Sequence, residues 1–378
     1  MTRILLGLIM SALVSTVHAG PLVAIGGGLE PNNEAVYRTV IDLISEGPLC
    51  IFGTASADPA TSAETYVGDF EGYGAQAAAV NITTENAAVS TTDEGVLGTL
   101  RSCGGFFFTG GDQRRITQAW LDTPALEVLR ERAAAGAPVA GTSAGLAVMS
   151  ETMISGGSSI DTLLEGPDAV TLEPGLGFVD AVILDQHALE RGRFGRLLGA
   201  LVETGLPLGI GVGENTALVI PNTGPWRVVG EGHAAVLEVP PSTTLQRLTG
   251  AQVSLISSGD SFDPQTGEFS VSDERSAEDV GSYYDAGAIF ASDVFGPDVL
   301  GNLLERLIDS PETSASGLGF LGSGEPSFSA PGLRLTLSKG ADTAGYWGRA
   351  EGADYSIVRV NMAVSPVEVS VLPSDAEE

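Results

Sequence analysis

From Pro21 to about Asn222, short apolar runs alternate with longer stretches whose apolar residues recur at helical spacing. Leu22-Val23-Ala24-Ile25 is the first run and breaks at Gly26-Gly27-Gly28. That triplet lacks the glycine spacing of a nucleotide-binding loop that opens a helix, so it reads as a tight turn. Residues 33–45 have helical spacing, and residues 49–52 form the next apolar run. Gly105-Phe106-Phe107-Phe108-Thr109 stops at Gly110-Gly111, and residues 125–135 predict a strong helix ended by Gly136. Residues 179–184 and 208–212 predict further strands. Strands and helices in strict alternation predict a mostly parallel sheet flanked by helices.

Beyond Pro221 the period shortens. Residues 226–229 and 235–239 read as antiparallel strands, followed by an acid-rich loop over 260–285 and an amphipathic helix over 297–308. Residues 311–330, rich in Gly, Ser and Pro, read as a long irregular connection, and residues 333–337 and 355–364 alternate as strands again. The expected architecture is α/β, with a catalytic domain over 20–222 and a strand-rich C-terminal extension over 223–378 packed on it. No internal repeat is visible.

The first residues change the picture of where the chain works. Arg3, the apolar stretch 4–17 and the small residues around His18-Ala19 read as a signal peptide over 1–19, with Gly20 as the mature start. An exported protein, periplasmic or extracellular, is expected. Charge narrows the partners: Asp+Glu 48 against Lys+Arg 18 gives a formal net charge of -30, with Lys339 the sole lysine. Such a surface repels nucleic acid and anionic membranes. It suits a cationic substrate, or serves only solubility. Cys50 and Cys103 have neither metal-ligand spacing nor a nearby histidine, so no metal, cofactor or thiol chemistry is expected. They read as two separate buried thiols, with a disulfide as the alternative. A homodimer is left open.

The candidate chemistry begins at Gly141-Thr142-Ser143-Ala144-Gly145, between the apolar run 137–140 and a helical stretch. A strand-turn-helix of this kind exposes the serine at its apex, and the next amide, of Ala144, points where an oxyanion would form. The same five residues also suit an ordinary βα turn of small side chains. A serine nucleophile needs a base. Of the histidines left after the signal, His187 follows a predicted strand end, whereas His233 has no polar company. The orienting acid is either Glu214, past the strand 208–212, or Asp185, which would have to curl back from only two residues away. Glu214 is preferred. Gly111, Ser143, His187 and Glu214 all fall just past predicted strands, at the carboxyl edge where α/β sheets bind ligands. The Gly111 amide could complete the oxyanion hole, and Gln113 could bind substrate. Arg191, Arg193 and Arg196, read as opening one helix, suggest anion recognition, although helical geometry alone would not turn all three into one groove.

Taken together, residues 108–113, 141–145, 185–187 with the three arginines, and 211–217 resemble the cyanophycinase family of serine peptidases. The likeness spans about residues 20–222. It implies a class I glutamine amidotransferase-like (flavodoxin-like) fold and a Ser–His–Glu triad of Ser143, His187 and Glu214. Gln113, Asp185, Gln186, Arg191, Arg193 and Arg196 would then bind substrate. The family's substrate is cyanophycin, a poly-aspartate with arginine on each β-carboxyl, cleaved to β-Asp-Arg dipeptides. Partners would therefore be that arginine-rich polymer or an acidic peptide. Ala188 stands where the family usually has an aromatic, which is expected to reshape one pocket wall. The alternatives are an aspartyl dipeptidase or amidase on the same scaffold, and a secreted binding protein without turnover.

Overall fold

Apolar runs without alternation bury both faces, and four of them build the centre of the first sheet. A computed structural model describes residues 20–241, 244–277, 281, 283–322, 325, 327–348 and 355–372. The export signal expected over 1–19 lies outside these residues. In chain order the strands are β1 (Leu22–Ile25), β2 (Leu49–Phe52), β3 (Ala77–Ala79), β4 (Gly105–Phe108), β5 (Val139–Thr142), β6 (Thr152–Gly156), β7 (Thr171–Pro174), β8 (Ile183–Gln186), β9 (Leu208–Val212) and β10 (Thr216–Ile220). The later region adds β11 (Trp226–Gly230), β12 (His233–Glu238), β13 (Ala251–Ser257), β14 (Ser261–Asp263) and β15 (Glu268–Ser270). It ends with β16 (Ile289–Ala291), β17 (Ser314–Phe320), β18 (Phe328–Ser338), β19 (Ala344–Trp347) and β20 (Tyr355–Val371).

Two large sheets result. The first runs β15-β14-β11-β10-β1-β5-β4-β2-β3, and its β1, β5, β4, β2 and β3 are parallel. The second runs β16-β17-β18-β20-β13-β12-β9-β8, with β8 and β9 parallel at one end and antiparallel pairing through most of the rest. Within β4, Phe106 and Phe108 enter one core with Phe52 and Trp120, while Phe107 enters another with Tyr37 and Phe70. That split shows why the Phe run is apolar without a break. Helices start where short polar side chains cap them: Asp58 accepts from Thr61 N–H ahead of helix Pro59–Gly72, and Thr123 from Leu126 N–H ahead of Pro124–Ala134. The second sheet packs helices Phe194–Thr204 and Val299–Ile308 over a core rich in Leu and Val.

Three differences from the sequence expectations have physical causes. Cys50 and Cys103 are joined in a disulfide, not separate thiols, with Cα atoms 5.7 Å apart. Residues 314–320 are a strand, not part of an irregular connection: Gly317 and Gly319 leave the space that Val294 and Phe295 occupy, so small residues that resemble linker composition are packing residues. The strand expected over 179–184 begins at Ile183, because Ala181 adopts φ 56 and interrupts the extended chain. The acid-rich stretch 260–285 also contains the short pair β14 and β15. Among the described residues, no helix is long and apolar enough to cross a membrane.

Candidate active site

The residues expected at one sheet edge come from two sheets. Gly111 and Ser143 lie past β4 and β5 of the first, and His187 and Glu214 past β8 and β9 of the second. The chain passes from the second sheet into the first at Glu214, between β9 and β10. His187 N–H donates to Gly26 O (2.8 Å) and so joins the two edges, Asn215 N–H at the crossover donates to Gly27 O (2.8 Å), and within the first sheet Ser143 N–H donates to Ile25 O (2.9 Å).

Ser143 takes φ 54 and ψ -107, a conformation that L residues rarely adopt, and helix Ala144–Ala147 starts directly after it. Gly145 and Gly141 make this turn feasible: a Cβ on either would run into neighbouring backbone. The Ser143 Oγ lies 2.9 Å from His187 Nε2, and His187 Nδ1 lies 2.5 Å from Glu214 Oε1. His233 is elsewhere, buried, with Nε2 3.0 Å from Tyr355 O. Asp185, the rival acid, does not reach the imidazole. Its buried carboxylate takes a two-pronged bond from Arg196, with Nε at 2.8 Å and Nη2 at 2.6 Å.

Burial pushes the His187 imidazole below its ordinary range. The Glu214 hydrogen bond opposes this, while the Arg191 and Arg193 cations add to it. The neutral base is therefore favoured at neutral pH. Gln186 Oε1 accepts from Arg193 Nη1 (2.8 Å) and lies 3.2 Å from Ser143 Oγ, so Arg193 fixes the amide that faces the serine. Burial also lowers Arg193 to about 10, which leaves it a cation at neutral pH.

These groups open on a cavity of about 560 Å³ lined by Gly110, Gly111, Asp112, Gln113, Arg114, Ser143, Gln186, His187 and all three arginines. Arg191 lies in the turn before the helix, which starts at Phe194, so the helical argument did not apply to it. Its side chain is 52% exposed, with Nη2 3.8 Å from Glu214 Oε1. Arg196 pairs with the buried Asp185, Arg191 lies beside the Glu214 carboxylate, and Arg193 meets no carboxylate within ion-pair distance among the described residues. Gln113 lines the cavity while its Nε2 donates to Ile154 O at 2.8 Å. The amides of Gly111 and Ala144 donate to no acceptor among the described residues. Ala188 is not a cavity wall: it is buried, and a Cβ on Gly211 would run into it.

Three contributors were not read from the sequence. A side chain on Gly27, at φ 111, would collide with the His187 ring, and one on Gly28, at φ 54, would crowd the Glu214 carboxylate at 2.8 Å. The triple-glycine turn is thus the seat of the imidazole–carboxylate pair. Its place at a strand's carboxyl end was the available signal. Glu190 Oε1 accepts the Glu214 N–H at 2.9 Å, and burial raises its carboxyl; no local pattern marks that residue. Tyr66, from helix Pro59–Gly72, also lines the cavity.

Comparison with known proteins covers the same part of the chain. The profile of peptidase family S51 matches residues 22–225. A cyanophycinase of Trichormus variabilis is 36% identical over 195 residues, covering 51% of this chain and 64% of that protein. One of Geminocystis herdmanii is 35% identical over 193 residues, covering 50% and 69%. The chain therefore spans a little under two thirds of the first of these relatives. A peptidase from an acI-B1 Actinobacterium superposes with a TM-score of 0.49 at 20% identity, over 65% of this chain and 97% of that one.

Proposed function

The chain belongs to peptidase family S51, and from that premise we propose that it is an exported serine exopeptidase that releases β-Asp-Arg dipeptides from cyanophycin. The observation that carries the reading is the unbroken line of hydrogen bonds Ser143 Oγ, His187 Nε2, His187 Nδ1, Glu214 Oε1.

Ser143 Oγ attacks the scissile carbonyl carbon as His187 Nε2 takes the hydroxyl proton. The N–H groups of Gly111 and Ala144 receive the developing oxyanion. His187 passes the proton to the leaving amine, the C–N bond breaks, and an acyl-enzyme on Ser143 remains. Water then attacks the acyl carbon, gives a proton to His187, and the acid product leaves as that proton returns to Ser143. Glu214 holds Nδ1 protonated throughout and stabilises the imidazolium.

The substrate class is supported by the cations Arg191 and Arg193 at the cavity, which suit carboxylates of an aspartyl backbone. The acidic coat of the whole chain suits the arginines of the polymer. The Cys50–Cys103 disulfide supports an oxidising compartment. Incubating the purified mature protein with insoluble cyanophycin and weighing the soluble product tests the reading. Release of a β-Asp-Arg mass is expected, and Ser143→Ala should abolish it. Turnover of N-terminal aspartyl dipeptides with cyanophycin left intact would move the substrate to the aspartyl dipeptidase alternative.

A further inference from the structure

Away from the catalytic cavity, the two sheets enclose a second recess of about 230 Å³. One wall is a row fixed by register across the second sheet, with Leu208 of β9 opposite Glu238 of β12, and Glu238 opposite Gln252 of β13. The turn between β14 and β15 of the first sheet and Arg359 of β20 complete the lining.

Glu238 and Arg359 share this recess without forming an ion pair. The Glu238 carboxylate has no hydrogen-bond partner among the described residues, and burial raises it while Arg359 draws it down. Arg359 gives one donor, Nη2, to Gly267 O at 2.8 Å and lies over the Phe269 ring at 5.7 Å. Its Nε and Nη1 have no acceptor among the described residues. Both side chains are half-buried, and a partly desolvated charge gains from a close counter-charge, so two opposite charges held apart in one recess suit an occupant that satisfies both. Backbone strain concentrates here as well. Arg359 (φ 57) and Ala181 (φ 56) are both non-glycine residues in the left-handed region, and both line the recess.

We propose that this recess binds a small zwitterion, a free α-amino acid, with its ammonium on Glu238 and its carboxylate on Arg359. The volume admits a short side chain beside the two charged groups. The site is separate from the catalytic one: Leu208 begins β9, whereas Glu214 follows its other end.

Calorimetric titration of the full mature chain with glycine and alanine tests this, with N-acetylalanine and alaninamide as probes that each lack one charge. Alanine should bind one to one at millimolar concentration or below. Loss of either charge, or Glu238→Gln, should weaken binding about tenfold or more. Arg359→Gly removes the guanidinium at a φ that glycine tolerates, and should weaken alanine equally. No binding of either amino acid, equal binding of the singly charged probes, or alanine binding unaltered by both substitutions would overturn the proposal. Binding confined to the catalytic cavity gives that last result.

Discussion

Two sets of buried polar side chains are built from similar residues and put to opposite uses. Around Asp260, in the later region, every acceptor position is taken. Its carboxylate receives the N–H groups of Ser257 and Ser272 (both 2.9 Å), Arg275 Nη1 (3.2 Å) and Ser356 Oγ (2.5 Å). Asp260 and Arg275 are wholly buried. Around Ser143, by contrast, the line of bonds ends at an open cavity. Ser143 and His187 both stand at positive φ, and the carboxylate of Glu214 is 37% exposed. A carboxylate that already accepts four bonds has nothing left to offer a ligand, and its worth is structural. An unsaturated cluster, held by strained backbone and cleared by glycine, leaves a hydroxyl at the cavity and two amides with no acceptor among the described residues.

Substitutions in the two clusters should therefore separate rate from stability. The largest effect is expected from Glu214→Gln, which keeps the shape but favours the wrong imidazole tautomer: kcat should fall by about 10³–10⁴-fold with the melting temperature little changed. Loss of rate in Asp185→Asn, with Glu214→Gln silent, would reverse the assignment of the acid. Next, Asp260→Ala should lower unfolding free energy by about 3–5 kcal/mol in denaturant titration, because it removes the buried carboxylate beside the Arg275 guanidinium and takes the acceptor from the Ser257 and Ser272 N–H groups. The folded fraction should keep its kcat, and a rate loss without destabilisation would break the contrast. The smallest effect concerns pH. His187 must be neutral to accept the serine proton, so activity falls as pH drops through its lowered pKa, giving an acid limb below the ordinary imidazole value. Arg191→Gln removes one cation that lowers it, so the limb should move to higher pH in a kcat/KM profile. A shift to lower pH would show that Arg191 acts by other means.

What the sequence made legible follows the same division. β1, β2 and β9 fall at the expected residues, because a run buried on both faces is apolar without interruption and ends at glycine or polar residues. Ser143, His187 and Glu214 were legible because each is an isolated reactive side chain just past such a run. The glycine turn was not: that Gly27 faces His187 depends on contacts between residues 160 positions apart, which no local pattern encodes. β17 was hidden for a related reason, since its inward glycines are set by the bulk of Val294 and Phe295 across the core. The pairing of Arg196 with Asp185 likewise shows only in three dimensions.

The most direct measurement is covalent capture of the nucleophile. Treating the purified protein with a fluorophosphonate and mapping the adduct by peptide mass should find it on Ser143, with labelling lost in Ser143→Ala and slowed in Glu214→Gln. No adduct, or an adduct on another residue that persists in Ser143→Ala, would contradict the account.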